Sequence, residues 1–103
     1  MPQGALAMLV LRVIRSGPLH GYAIAQRIRA LSDSVLEAEE GSLYPTLQRI
    51  LIEGWVTSEA EVSETGRRVR VYTLTREGAK QLNREIAEYE KATVAIQTIL
   101  RTA

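Results

Sequence analysis

Apolar residues recur at helical spacing in three segments of the first half of the chain. The first stripe predicts a helix over residues 4–16, which Gly17-Pro18 ends. A second helix is predicted to begin near His20 or Gly21 and to end in the turn at residues 32–34. A third is predicted over residues 41–53, with Gly54 as the residue that follows its last turn. The predicted inward positions are Leu6, Leu9, Val10, Val13 and Ile14, then Ile24, Ile28 and Leu31, then Leu43, Leu47, Ile50 and Leu51.

Two strand-like runs follow, over residues 55–61 and 68–74, and a turn that contains Gly66 separates them. They predict an antiparallel hairpin. In the second run, Tyr72 and Leu74 share one face, while Val71 and Thr73 share the other. Either face could point inward, and we favour the one with Tyr72 and Leu74.

The last segment carries a heptad pattern of apolar positions. Thr75 is a natural N-cap, and a helix from residue 76 to residue 100 would be roughly 37 Å long. A three-helix domain cannot cover so long a stripe, so the excess is predicted to meet a second copy of the chain. The alternative is packing against the first helix of the same chain, and we expect a mixture of the two. The predicted dimerisation residues are Leu82, Ile86, Tyr89, Ile96 and Leu100.

The composition of the chain argues against catalytic, metal-binding and membrane functions. The chain has 103 residues, no cysteine and one histidine, His20, which is expected to cap or pack at a helix start. We therefore expect no catalytic site, no metal site and no cofactor. No apolar run approaches the ~18 residues that a membrane span needs, so no membrane partner is expected and a cytoplasmic location is predicted.

Positive charge is local. The net charge is only +1, yet four arginines lie within residues 67–76. Such a distribution favours a protein that binds specific nucleic-acid sites over one that covers nucleic acid without sequence preference. Arg67, Arg68 and Arg70 could also be an ordinary solvated strand and turn, but three arginines in four residues beside a glycine indicate phosphate contact.

The start of the third helix offers polar groups for recognition. Ser42 is predicted to be its N-cap, and Pro45 to lie in its first turn. Tyr44, Thr46 and Arg49 lie outside the apolar face of this helix. Hydroxyl and guanidinium groups at a helix N-terminus suit contact with phosphates and base edges.

Five short sequence motifs indicate a function more specifically than composition or charge does. In chain order they are Gly17-Pro18-Leu19-His20-Gly21-Tyr22, Glu40-Gly41-Ser42-Leu43-Tyr44-Pro45, Gly54-Trp55, Gly66-Arg67-Arg68 and Tyr72-Thr73-Leu74-Thr75. Together they resemble the PadR family of transcriptional regulators, from about residue 4 to residue 78. The resemblance implies a mainly α fold: a winged helix-turn-helix of three helices and a two-stranded wing over residues 1–75, followed by a dimerisation helix over residues 76–103. It also implies a homodimer that binds double-stranded DNA at a palindromic operator, most simply as a repressor.

The DNA-binding residues predicted on this basis are Tyr22, Ser42, Tyr44, Thr46, Arg49, Arg67, Arg68 and Arg70. The resemblance implies that the Tyr22 hydroxyl contacts a phosphate. The alternative is that Tyr22 packs under the third helix. For base reading we favour Thr46 with Arg49 over Gln48.

There are two alternatives, one for regulation and one for function. Some members of the family release DNA when a small hydrophobic effector binds at the dimer centre, often against tryptophan in the last helix. Here that helix has no tryptophan and Tyr89 is its one aromatic residue, so regulation by abundance or by a partner protein is the alternative. The rival function is a winged-helix protein-interaction module that does not bind DNA.

Overall fold

The computed structural model describes residues 4–102 and confirms the predicted order of helices and hairpin. The elements are α1 (Ala5–Arg15), β1 (Leu19–His20), α2 (Gly21–Leu31), α3 (Glu40–Ile52), β2 (Val56–Val62), β3 (Arg68–Leu74) and α4 (Arg76–Thr102). The strands form one antiparallel sheet in the order β1-β3-β2. No helix in the described part of the chain is long and apolar enough to cross a membrane.

The sheet has a third strand that the sequence analysis missed. Strand β1 has two residues, with Leu19 opposite Tyr72 and His20 opposite Val71. Two residues are too few to show the alternation of apolar and polar positions that marks a strand. The strand forms because the chain leaves α1 through Gly17 and runs beside β3 before α2 begins.

The core lies between α1, α2, α3 and the root of the hairpin, and α4 closes it. Tyr72 is buried and Leu74 packs against the core, as predicted. Leu31 was predicted to face inward, and this is wrong because its side chain is 67% exposed. Helix α2 ends at this residue, and its inward stripe already ends at Ile28.

Helix α3 begins earlier than its local sequence signals indicated. Its N-cap is Glu39, which makes no side-chain cap, so the prediction of Ser42 as N-cap is wrong. Ser42 is the third helical residue, and Pro45 lies inside the helix rather than in its first turn. Proline is tolerated there because the only bond it removes is to the carbonyl of Gly41, an exposed residue that water can reach. Glu40 places a carboxylate in the first turn, where the helix dipole favours it.

The junction between α3, the hairpin and α4 is tightly hydrogen-bonded. Gly54 has a φ of +78°, and Trp55 N–H donates to the Ile50 carbonyl at 3.0 Å, which closes α3 in a Schellman motif. The Thr75 hydroxyl donates to the Gly54 carbonyl at 2.8 Å and accepts from Gly78 N–H at 3.0 Å. The predicted N-cap role of Thr75 is therefore confirmed, and the same hydroxyl also ties α4 to the end of α3.

Helix α4 divides into a packed part and an exposed part. It has 27 residues, which at 1.5 Å per residue is about 40 Å. Leu82 is fully buried in the core of its own chain and Ile86 packs against that core, whereas Tyr89, Ile96 and Leu100 are exposed. Leu82 is therefore not available to a partner, although it was predicted as a dimerisation residue.

Candidate nucleic-acid interface

The start of α2 packs directly on α3. His20 is the N-cap of α2, as expected, and its Nδ1 accepts a hydrogen bond from Ala23 N–H at 3.4 Å. Gly21 is buried, and a Cβ at this position would lie 3.5 Å from Cε1 of Tyr44 and 3.6 Å from Cδ1 of Leu47. The ring of Tyr44 therefore rests on the first turn of α2, which fixes the position of α3 relative to α2.

Tyr22 lies beside the hairpin and points to solvent. Its side chain is 66% exposed, and it lines a groove of about 610 Å³ between α2 and the hairpin tip. Arg67 lines this groove as well, but so do Glu61 and Glu64. Because the carboxylates outnumber the guanidinium, the groove itself is not a cationic site.

The hairpin tip is a compact turn that presents Arg67. Ser63 N–H donates to the Arg67 carbonyl at 2.8 Å, and Gly66 N–H donates to the Ser63 carbonyl at 2.9 Å. Gly66 has a φ of +81°, the left-handed conformation that a three-residue hairpin loop requires at its last position. The Ser63 hydroxyl also accepts from Arg67 N–H at 3.2 Å, so the backbone of Arg67 is held in place while its side chain is exposed.

The two faces of the hairpin carry opposite charges. The register pairs Arg70 with Ala60 and Arg68 with Val62, so both arginines share the face that carries Tyr72. The carboxylates of Glu59 and Glu61 lie on the opposite face, with Val71 and Val69. The cationic face is therefore the one whose Tyr72 is buried in the core.

Arg70 is held on that face by a specific partner. Its Nε and Nη2 donate to the hydroxyl of Ser58 at 3.2 and 3.1 Å. Burial raises the pKa of Tyr72, the nearby Arg70 opposes that rise, and Tyr44 adds to it. Tyr72 therefore lies within electrostatic range of Arg70 on its own strand and of Tyr44 on α3. Ser58 was missed in the sequence because its role depends on the register of the hairpin.

The predicted readers lie on different sides of α3. With Leu43, Leu47 and Ile50 inward, helical geometry puts Tyr44 and Gln48 on one flank and Thr46 and Arg49 on the other. The Thr46 hydroxyl donates to the Ser42 carbonyl at 2.8 Å, which leaves its methyl group for outside contact. Ser42 is exposed, and its carbonyl is the group that accepts this bond from Thr46.

Arg49 lies near an acidic residue of α4 that the sequence analysis did not single out. Burial raises the pKa of Glu85, and the positive charge of Arg49 opposes that rise. Oε2 of Glu85 is shielded from solvent and accepts no hydrogen bond within residues 4–102. Arg49 and Glu85 form no ion pair within 4 Å, and the sequence offered no signal that the two lie within electrostatic range of each other.

Glu85→Gln should stabilise the protein at neutral pH and not at acidic pH. Because the folded-state pKa of Glu85 lies above its ordinary value, the ionised carboxylate weakens the fold when the pH exceeds both values. The advantage of the neutral glutamine should shrink as the pH falls through the raised pKa, and vanish below the ordinary one. Urea unfolding of both proteins across this range measures the difference. The exposed Glu88, changed to Gln, is the control and should show a smaller effect.

Two helices that cross at a fixed contact, with a cationic hairpin beside the second, define a winged helix-turn-helix. The sequence profile of the transcriptional regulator PadR-like family matches residues 10–84, and the chain belongs to this family.

Individual relatives agree with this assignment. The negative transcriptional regulator PadR of Bacillus subtilis is 28% identical over 78 residues, which cover 76% of this chain and 43% of that protein. The chain thus spans less than half the length of this curated relative. A transcriptional regulator from Clostridium thermocellum superimposes with a TM-score of 0.85 at 27% identity, over 93% of each chain. Bacillus subtilis PadR in complex with operator DNA superimposes with a TM-score of 0.73 at 27% identity, over 84% of this chain and 48% of that one.

Proposed function

We propose that this regulator binds DNA sequence-specifically as a homodimer and represses transcription from a palindromic operator. The observation that carries the proposal is the hairpin face with Arg68 and Arg70, which also carries the buried Tyr72 near Tyr44 of α3. The exposed Arg67 lies at the hairpin tip, where it lines the groove beside Tyr22. The similarity to Bacillus subtilis PadR, which was crystallised in complex with operator DNA, supports DNA binding by this chain.

Within this proposal the hairpin holds the sugar–phosphate backbone. Arginines are suited to phosphates because their donors form a rigid fork. Arg70 is positioned by Ser58, Arg67 is exposed on a turn that holds its backbone, and Arg68 is exposed at the start of β3. Ser42 adds a hydroxyl at the start of α3, and Tyr22 adds one at the start of α2.

The dimer rests on the outer part of α4. The exposed apolar residues here recur at heptad spacing; they are Tyr89, Ile96 and Leu100. The contact positions that form the seam of a coiled coil have this spacing and are exposed when the partner helix is absent. Ile86, at the edge of the core, would begin this seam. In a dimer of this kind the two α3 helices enter successive major grooves about 34 Å apart. We therefore assign residues 1–75 to DNA binding and residues 76–103 to dimerisation, although Leu82 of the second segment completes the core of the first.

The rival function, a protein-interaction module without DNA binding, predicts no affinity for any duplex. Binding of the purified protein to genomic fragments, followed by sequencing of those it retains, tests the proposal directly. A shared inverted repeat in the retained fragments is the expected result. Retention of no fragments at low salt would leave only the rival.

Arg67→Ala should reduce the salt dependence of DNA binding. The change removes one phosphate contact per subunit, so the slope of log K against log salt should flatten by about 2 for the dimer. The affinity should fall to a similar extent on operator and random DNA, because phosphates carry no sequence information. Arg101→Ala removes the same charge far along α4 and should leave the slope unchanged. If both variants behave alike, the hairpin does not contact the backbone.

Changes on α3 should instead alter the preferred sequence. The methyl group of Thr46 can contact a thymine methyl, and Arg49 can donate to guanine, whereas Gln48 on the other flank can pair with adenine. Alanine at the true reader should cost about 1–3 kcal/mol on the selected site and little on random DNA. Selection from a random library with each variant decides between Thr46 with Arg49, which we favour, and Gln48. If the preferred sequence stays the same in all of these variants, α3 is not the helix that reads the bases.

A further inference from the structure

We propose that Ser58 of β2 and Arg70 of β3 form one phosphate-binding site, in which the Ser58 hydroxyl itself donates a hydrogen bond to the DNA backbone. This inference rests on the proposed function and adds to it a contacting residue that carries no charge. Its basis is the direction in which the hydroxyl proton must point.

The Ser58 hydroxyl is an acceptor toward its own chain. Its oxygen accepts hydrogen bonds from Nε and Nη2 of Arg70 at 3.2 and 3.1 Å. A guanidinium carries donors and no acceptor, so the hydroxyl proton of Ser58 must point away from Arg70. Among the hydrogen bonds within residues 4–102, the Ser58 hydroxyl takes part in these two alone. Its proton is therefore available to an acceptor that lies outside the described chain.

The neighbours of Ser58 on this face of the hairpin explain why no side chain receives the proton. Strand alternation places Val56 and Ala60 on either side of Ser58, and the register places Tyr72 opposite it. Valine and alanine carry no polar group. Within the described residues no hydrogen bond joins Ser58 to the phenol of Tyr72, so the proton has no competing acceptor on this face.

Ser58 lies at the point where this face of the hairpin leaves the core. Along β2, Val56 is buried, Ser58 is half-buried and Ala60 is exposed. Along β3, Tyr72 is buried and Arg70 is exposed. The core therefore holds the strands on one side of the pair, while the other side is open to a ligand.

The two side chains together complement a phosphate. Ser58 occupies two N–H groups of Arg70 and leaves the others free, and Arg70 forms no ion pair with a carboxylate in the described part of the chain. Donation by the guanidinium to the hydroxyl oxygen polarises the O–H bond and makes it a better donor. Hydrogen bonds to a charged acceptor are the stronger ones, and Arg68 adds positive charge on the same face. An anionic oxygen is therefore the acceptor that fits this site.

Ser58→Ala in the full chain removes the hydroxyl, and fluorescence anisotropy measures binding to a selected operator and to a random duplex of equal length. Affinity should fall by about fivefold to thirtyfold on both, since one hydrogen bond to a phosphate is lost in each subunit. The slope of log K against log salt should stay that of the wild type, because a neutral hydroxyl displaces no counterion. Ser58→Thr, which keeps the hydroxyl, should retain most of the affinity.

Arg70→Ala distinguishes a direct contact from a role in positioning Arg70 alone. This variant should flatten the salt slope by about 2 for the dimer. In its background Ser58→Ala should still weaken binding by about threefold or more, because the hydroxyl keeps its own contact. A serine that only held Arg70 would have no effect left in that background, and its removal from the wild type would flatten the salt slope. Either of these two results would overturn the proposal.

Thr57→Val is the matched control, because it removes a hydroxyl from an exposed position on the opposite face of the same strand. It should bind both duplexes as the wild type does. An equal loss in Thr57→Val, or wild-type affinity in Ser58→Ala, would overturn the proposal while leaving the proposed function intact. If the wild type itself binds neither duplex, both fall.

Discussion

Ile96→Asp should convert the protein into monomers and abolish tight operator binding. The Ile96 side chain is 56% exposed in the single chain, and in the proposed dimer the partner helix covers it. An aspartate without a partner in an apolar seam costs several kcal/mol. Loss of the second half-site should lower operator affinity on the order of a hundredfold or more, because two linked contacts bind far more tightly than one. Light scattering and DNA titration measure the two effects.

The control for this change is Thr98→Asp. Thr98 lies on the opposite side of α4 from the heptad seam, and its hydroxyl donates only to the Val94 carbonyl of its own helix. This variant should remain dimeric. Ile86→Asp is the less specific probe of the interface, since Ile86 also packs against its own core and its loss would affect folding. Dimers that persist in Ile96→Asp would place the interface elsewhere.

Gly78→Ala should cause the largest loss of stability among single-methyl changes. A Cβ at Gly78 would overlap the carbonyl oxygen of Trp55 and lie 2.8 Å from Cδ1 of Leu74. The carbonyl cannot retreat freely, since it also accepts from Thr75 N–H at 3.0 Å. We expect a loss of about 2–3 kcal/mol or more, and a fall in melting temperature of about 10 °C or more. Thermal unfolding at fixed protein concentration measures it.

Gly41→Ala is the control for Gly78→Ala, because it adds the same methyl group at a position without steric overlap. Nothing lies within 4 Å of a Cβ at this position, which is exposed and inside α3. It should gain about 0.5–1 kcal/mol, because alanine loses less backbone entropy than glycine in a helix. If both variants were equally stable, α4 would not pack on the backbone of Trp55.

The parts of the fold that follow from local periodicity could be predicted from the sequence. The apolar stripes of α1 and α3, the hairpin and the cap at Thr75 each depend on residues close in the chain. The N-cap of α3 could not be predicted, because Ser42 and Pro45 are strong start signals by themselves, and only the structure shows that the helix begins at Glu40, with Ser42 already inside its first turn. Local propensity is a weak guide where several starts are acceptable.

The candidate site shows the same division. Its arginines could be found from composition, but the opposite charges of the two hairpin faces depend on the register set by the turn at Gly66. Which residues of α3 lie within electrostatic range of α4 depends on packing over long sequence distances, so the effect of the Arg49 charge on Glu85 could not be predicted from the sequence. Contacts between elements are what the pattern of a single sequence leaves undetermined.

The junction at Thr75 has a consequence for operator architecture. One hydroxyl joins the end of α3 to the start of α4, and Gly78 lets the helix lie against the backbone of Trp55, so this junction contains no flexible linker. In the proposed dimer a rotation of α4 would turn the hairpin and α3 through the same angle. One added base pair between half-sites rotates them by about 34–36° relative to each other. The protein would have to bend a helix or twist the DNA to follow, so half-site spacing becomes part of the recognised sequence.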